Sequence, residues 1–305
     1  MPLDALCLSG VVHELQNALS GAKIDKIYQP GRDEVVLALR APAGNVKLLL
    51  SANPSHPRAH LTQISRENPD KPPMFWMLLR QHLSGARLLE LVQPPMERVV
   101  DLRLEALDEL GDRVERRLVL EAMGRHSNLI LLDGEGRIMD CLRRVDSDMS
   151  ARRQVLPGLF YRRPPAQEKL DPSSLESALA AAPEESQADK WLLDTFGGLS
   201  PLICRELAFR AGGATDARLH QMGEGGRSRL LDELEGLLRS VQENSFTPVM
   251  LEKEGHPSDF TFQPISQYGP AVSCVPFPSF SALLDRFYEQ RENQERVRQR
   301  GQDLI

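Results

Sequence analysis

Two short polar segments interrupt apolar strand patterns and carry the side chains best suited to recognition chemistry. Pro94-Pro95-Met96-Glu97-Arg98-Val99-Val100 sets an acid beside an arginine where a loop leads into a strand. Adjacent strand residues point to opposite faces, so one of the pair is expected at the surface. Glu121-Ala122-Met123-Gly124-Arg125-His126-Ser127-Asn128 is a Gly-containing break between two apolar strands. Arginine offers a planar fork of donors to a phosphate or a base edge, and glycine lets a backbone come close. From residue types alone, a bulge or turn with solvated charges is the simpler reading of each segment. Between Arg137 and Lys169 the bases are Arg137, Arg143, Arg144, Arg152, Arg153, Arg162, Arg163 and Lys169, against Asp140, Asp146, Asp148 and Glu168, a local charge of +4. That clustering suggests a polyanion held locally. Aromatic residues are only 5% of the chain, which favours backbone contact over base stacking.

Enzymatic signatures are weaker. A mature N-terminal proline can act as an amine nucleophile on an abasic sugar, and Pro2 invites that comparison, but Leu3 follows where formamidopyrimidine-type glycosylases carry an acid, and there is no cysteine-based zinc finger. There is no G-x-S-x-G, Walker lysine loop, G-x-G-x-x-G after a strand or H-E-x-x-H. His56 and His60 fall in a proline-broken loop where they share no helix face, and the other histidines are not at metal-ligand spacing. Cys7, Cys141, Cys204 and Cys274 lie more than 60 residues apart, so neither a zinc site nor a disulfide framework is indicated. Each is expected to be a small buried apolar group in a reducing cytoplasm. No catalytic residue, metal or cofactor is expected.

The elements that must hold these segments follow from periodicity. The 305 residues, 41% hydrophobic and 26% charged, suit about two globular domains. No run approaches the roughly 20 apolar residues of a membrane span, and Met1-Pro2-Leu3-Asp4 lacks the form of a secretory signal. A formal charge of −6 draws no polyanion through the net field. Leu8, Val11, Val12, Leu15, Ala18 and Leu19 recur at helical spacing before Gly21. Residues 23–29, 34–40, 45–52 and 59–64 read as an antiparallel meander, and 74–83 as a helix behind Pro72-Pro73 with proline in its first turn. Strands return at 99–104, with Asp101 on the polar face, then at 113–122, 128–132 and 137–142. Past 171 the pattern is helical. Gly197-Gly198 falls between two short helices, with Ser200 as N-cap and Pro201 in the first turn, a helix-hairpin-helix-like arrangement. Residues 227–241 give a further amphipathic helix, while 247–253 and 260–262 are expected to rejoin the first sheet. Beyond Phe280 an apolar face gives way to the almost wholly polar 289–300, the start of a long charged helix.

These segments resemble the N-terminal part of the NFACT family, whose bacterial members are the RqcH proteins once called fibronectin-binding protein A. The resemblance rests on His13-Glu14-Leu15, Ile27-Tyr28-Gln29-Pro30, Lys47-Leu48-Leu49-Leu50-Ser51-Ala52, Pro72-Pro73-Met74-Phe75, the break from Met123 to Asn128, Leu156-Pro157-Gly158, Pro164-Pro165-Ala166-Gln167 and Ser200-Pro201. It implies an α+β fold: a formamidopyrimidine-glycosylase-like N-terminal sandwich domain (1–172 plus 246–278), an inserted helix-hairpin-helix domain (173–245) and the start of a coiled coil (279–305). It also implies a cytoplasmic ribosome quality-control factor that binds large ribosomal subunits obstructed by peptidyl-tRNA, through 23S rRNA, and recruits tRNA, alanyl-tRNA foremost. Such a factor supports template-free alanine tailing without being an enzyme, since the ribosome supplies peptidyl transfer. The family's functional pair is Asp-Arg at the positions of Glu97 and Arg98, with an acid at Asp4, so Glu97 departs from the pattern by one methylene. The implied tRNA contacts are Asp4, Glu97, Arg98, Arg125, His126 and Asn128, with Arg143, Arg144, Arg152, Arg153, Gly197 and Gly198 as RNA backbone contacts. The competing expectations are a fibronectin-binding adhesin, which predicts saturable fibronectin binding, and a DNA lyase acting through Pro2.

Overall fold

The computed structural model describes residues 3–302. The chain forms two compact units, each assembled from separated segments: one from Val11–Pro94, Arg98–Pro164 and the stretch from Phe280, the other from the residues up to Gly10, Pro95–Glu97 and Pro165–Ser279.

Helix α1 (Ala5–Leu19) opens the chain as its periodicity requires, burying Leu8, Val11, Leu15 and Leu19. Nine antiparallel strands follow: β1 (Lys23–Gly31), β2 (Glu34–Ala41), β3 (Gly44–Ser51), β4 (Arg58–Leu61), then, after helix α2 (Met74–Leu83), β5 (Arg87–Val92), β6 (Val99–Leu107), β7 (Arg113–Glu121), β8 (Asn128–Asp133) and β9 (Ile138–Cys141). They make one sheet in the order β4-β3-β2-β1-β5-β6-β7-β8-β9. Two meanders meet at a short joint, where Lys23 pairs with Arg87 and the amides of Ile24 and Leu88 donate to the carbonyls of Ala86 and Ala22 at 2.8 Å each. Val99, Val119, Ile130, Leu132, Ile138, Cys141 and Val155 pack one apolar cluster. Helix α2 lies against β1 and β6. Pro73 is its N-cap, just outside the first turn where the sequence places it. Strand β5 has no counterpart in the sequence reading, because Arg87-Leu88-Leu89-Glu90-Leu91-Val92 does not alternate cleanly. Asp101, expected on the polar face of β6, is buried, and Arg117 of β7 clamps its carboxylate with Nε at 3.0 Å and Nη2 at 2.5 Å.

The same unit holds the first part of α7 (Phe280–Gln302) through polar contacts. Glu14 of α1 accepts the amides of Phe280 at 2.7 Å and Ser281 at 3.0 Å, so a carboxylate caps the helix N-terminus where backbone N–H groups lack partners. From β4, Arg58, 1% exposed, donates to Glu292 Oε1 at 2.7 Å and stacks 4.2 Å from the Tyr288 ring centroid. His60 meets Asp285 at 2.7 Å, and Asp285 also accepts from the Thr62 hydroxyl and the Gln63 amide, each at 2.8 Å.

The other unit contains α3 (Leu175–Ala180), α4 (Ala188–Thr195), α5 (Pro201–Gly212) and α6 (Leu219–Gln242), then β10 (Val249–Lys253), β11 (His256–Thr261) and β12 (Val272–Pro276). Helices α4 and α5 flank Gly197-Gly198; Ser200 caps α5 through the Ile203 amide, and Pro201 stands in its first turn. Strands β10–β12 do not rejoin the nine-stranded sheet. Strand β10 has β11 on one side and β12 on the other, which uses both of its edges. The Glu254-Gly255 turn, with φ of 54° and 77°, closes the β10–β11 hairpin locally. This small sheet belongs with the helices: the segment after β11 is tied to α5 by Glu206, which is fully buried and accepts the amides of Ser266 and Gln267 at 2.9 Å and Arg210 Nε at 2.9 Å. Burial alone pushes the Glu206 carboxyl up, but these hydrogen bonds outweigh it and hold it below the usual carboxylate range.

Candidate nucleic-acid interface

The ends of β6 and β7 place the two polar segments side by side. Val99 pairs with Glu121, and one residue further out the Arg98 carbonyl accepts the Ala122 amide at 2.9 Å. Arg98, half-buried, is thereby held next to the break that follows β7. That break is a single 3-10 turn over Gly124–His126, closed by Ser127, whose Oγ accepts the Met123 amide at 2.9 Å and donates to the Gly124 carbonyl at 2.6 Å. Gly124 takes a φ of 57°, a conformation that costs a glycine nothing. Arg125 and His126 are exposed on the turn, with Arg125 Nε 3.1 Å from His126 Nε2.

Beneath the turn lies a buried polar set without a sequence signal of its own. Glu121, 1% exposed, accepts Arg153 through both oxygens, at 3.0 and 2.5 Å, and the Tyr161 hydroxyl at 2.8 Å. Burial pushes the Tyr161 phenol well up, and the Glu121 charge adds to the shift. Only the chemistry of an acid ending an apolar strand hints at this set; its partners lie more than 30 residues away.

Several expected contacts prove to be internal ties. Asn128 is buried: its Nδ2 donates to the Arg143 carbonyl at 2.8 Å and its Oδ1 accepts the Leu129 and Arg143 amides. Arg143 donates to the carbonyls of Ala52 and Ser127 and to Asp33 at 2.7 Å. Arg153 is spent on Glu121. All three therefore brace the fold, each satisfying buried groups that would otherwise be orphaned. Arg144, with its side chain 62% exposed, and Arg152 remain at the surface.

In the other unit, Asp4 is buried at the start of α1, its Oδ1 accepting the Cys7 amide at 2.7 Å, the geometry of an N-cap. Glu97 is half-buried and follows Met96, whose φ of 58° is unusual for a residue with a side chain. Gly198, at φ 84°, faces Met96 so closely that an added Cβ would meet the methionine sulfur at 2.7 Å. Gly198 thus admits Met96, and its lack of a side chain already has a packing reason. Pro2 lies outside the described residues. Among the described residues no group of histidine, cysteine and acid side chains is placed to hold a metal, and no helix is long and apolar enough to cross a membrane.

Comparison with known proteins adds the lineage. The chain is 37% identical over 308 residues to the Rqc2 homolog RqcH of Bacillus subtilis, covering 100% of this chain and 52% of that protein. It is 24% identical to the ribosome quality control complex subunit NEMF of Mus musculus, over 94% of this chain and 28% of that protein. It spans about half the length of the curated bacterial relatives it matches. Among solved structures it is similar to the fibrinogen binding protein from Staphylococcus aureus, at 30% identity and a TM-score of 0.79 over 94% of this chain and 99% of that one. Formamidopyrimidine glycosylases, at a TM-score of 0.35 and 11% identity, are too distant for the likeness to carry any argument. A family model described as NFACT N-terminal and middle domains matches residues 4–305, and the chain belongs to the NFACT family.

Proposed function

We propose that this chain is the tRNA-handling part of a ribosome-associated quality-control factor. The observation that carries the proposal is the pairing of Arg98 with Ala122, which sets the family's arginine beside an exposed Arg125-His126 turn in a chain related along its whole length to RqcH. Arg98 and Arg125 supply planar donors to phosphate or base edges of a tRNA, while His126 adds a third polar contact. Asp4 and Glu97 act in the same task by ordering the segments that carry them. Arg144 and Arg152 add phosphate contacts from the same unit, and the Gly197-Gly198 turn contacts rRNA through Gly198, since the Gly197 amide already donates to the Leu170 carbonyl at 3.0 Å. In the cytoplasm the whole factor binds an obstructed large subunit through 23S rRNA beside the stalled peptidyl-tRNA, recruits alanyl-tRNA and supports alanine tailing. It contributes position, and the ribosome contributes peptidyl transfer. Within the chain, 1–172 with 246–278, 173–245 and 279–305 serve as the evolutionary segments of this arrangement, although compactness groups 165–279 together.

The test is recovery of RNA with the protein and with Arg98→Ala. The proposal expects tRNA enriched for alanine acceptors in the first and lost in the second; equal recovery from both removes Arg98 from the tRNA site. Fibronectin or fibrinogen binding is the second reading, favoured by the name of the staphylococcal structural relative. Saturable binding of purified fibrinogen or fibronectin, indifferent to Arg98→Ala, would support it.

A further inference from the structure

The brace formed by Arg143 reaches beyond the turn at Gly124–His126. Strands β1 and β2 are joined by Arg32 and Asp33, which lie between the paired Gly31 and Glu34. Asp33 is tied inward: its Oδ1 accepts Arg143 Nη2 at 2.7 Å, and its carbonyl accepts the Ala52 amide at 2.8 Å. The other terminal nitrogen of Arg143, Nη1, donates to the Ala52 carbonyl at 2.8 Å and to the Ser127 carbonyl. One guanidinium therefore joins the β1–β2 turn, the end of β3 and the turn that carries Arg125 and His126. The junction needs a planar fork with donors on two sides, which a lysine does not offer.

The acids at this junction are already paired. Asp33 is spent on Arg143, Glu34 lies 3.8 Å from Arg66 Nε, and Glu121 accepts Arg153 and Tyr161. Arg32 is exposed, and among the described residues its guanidinium has no hydrogen bond or ion pair; only its carbonyl is held, by Gln29 Nε2 at 3.4 Å. Each of the two turns thus presents to solvent one arginine, Arg32 or Arg125, whose neighbouring acids are neutralised from within. Cations held on one rigid frame suit neighbouring phosphates of a nucleic-acid backbone, which are bound by charge and planar donors without regard to sequence. We propose that the β1–β2 turn is a second wall of the RNA interface: Arg32 takes a backbone phosphate beside the one at Arg125, and Arg143 is the positioning residue that holds the two turns together. The inference rests on the tRNA reading of the Arg98 and Arg125 surface. It adds a residue that lies outside both the basic stretch from Arg137 to Lys169 and the segments that carry the family resemblance.

The test measures binding of a purified alanine tRNA to this protein across a salt series. Arg32→Ala, at an exposed position, is expected to weaken binding about fivefold and to lower the slope of log affinity against log salt by about 1, beyond the slope that the other arginines give. Arg143 is tested by coupling, because a brace that serves stability alone leaves the effect of Arg32→Ala unchanged. In an Arg143→Met background, adding Arg32→Ala should cost less than about twofold. Asp33→Asn is the milder second variant, since it lies on a surface turn and removes the charge that holds Arg143; the same loss of coupling is expected with unchanged circular dichroism, and the double-mutant cycle cancels the change in net charge. Affinity and slope undiminished by Arg32→Ala, while Arg98→Ala still abolishes binding, would overturn this inference alone. Failure of the unsubstituted protein to bind tRNA would overturn it together with the tRNA reading. Full additivity of Arg32→Ala with both Arg143→Met and Asp33→Asn would overturn the positioning role of Arg143.

Discussion

Glu121 shows how a single buried residue can support the proposed tRNA-contacting turn without being part of it. Its carboxylate is buried, and Arg153 and Tyr161 supply the donors that make this tolerable. Removing one partner leaves an uncompensated buried charge, so Arg153→Met is expected to cost about 3–5 kcal/mol in urea unfolding, whereas Arg152→Ala, at the surface, should cost under about 0.5 kcal/mol. Equal effects would show that Arg153 is not braced. The cysteines give a second residue-level test. Burial pushes the Cys141 thiol up to about 12 and raises Cys7 and Cys204 as well, while Cys274 is partly exposed. A thiol reagent should therefore label Cys274 first and the other three at the rate of unfolding. The types of Arg98, Arg125 and His126 and their place at strand ends were legible in the sequence. What was not legible is which arginines are already spent: Arg143, Arg144, Arg152 and Arg153 look alike in a charge count, and burial by residues 30 to 110 positions away separates them.

At the scale of elements, periodicity located most helices and strands, including the helix Met74–Leu83 to the residue. It failed where partners decide the outcome. Nothing local tells β10–β12 to form a separate sheet in place of extending the first one, and nothing local makes Asp101 a buried partner of Arg117. The junction of β4 with α7 makes a testable element-level device. His60 is fully buried, its Nε2 meets Asp285 and its Nδ1 has no partner. Protonation would bury an unpaired N–H, and burial lowers its pKa from 6.5 to about 4 against the opposing pull of Asp285. The unfolded chain binds that proton more readily, so the contribution to stability is complete above about pH 6.5 and drains away as pH falls to about 4, on the order of 3 kcal/mol in all. Asp285, held below its usual range, extends the loss to still lower pH. His60→Gln keeps a donor toward Asp285 and should flatten the stability profile between pH 6.5 and 4; an unchanged slope would place the titration elsewhere. Gly198→Ala probes the α4–α5 turn. A φ of 84° and the nearby Met96 together predict a loss of about 1–2 kcal/mol in thermal unfolding.

For the whole molecule, a formal charge of −6 means that the proposed RNA binding relies on local charge against the net field. If Arg98, Arg125, Arg144 and Arg152 each meet a phosphate, the logarithm of affinity should fall with the logarithm of salt concentration with a slope of about 3 to 4, and Arg144→Ala should lower that slope by about 1. The chain spans about half the length of the curated bacterial relatives it matches. The central claim, that Arg98 with its neighbouring turn handles tRNA on an obstructed large subunit, is tested most directly by crosslinking the protein in cells and sequencing the attached RNA, with and without Arg98→Ala. The account predicts 23S rRNA in both samples and tRNA, alanine acceptors foremost, only in the unsubstituted one. Recovery of tRNA undiminished by Arg98→Ala, or no RNA above background, would contradict it.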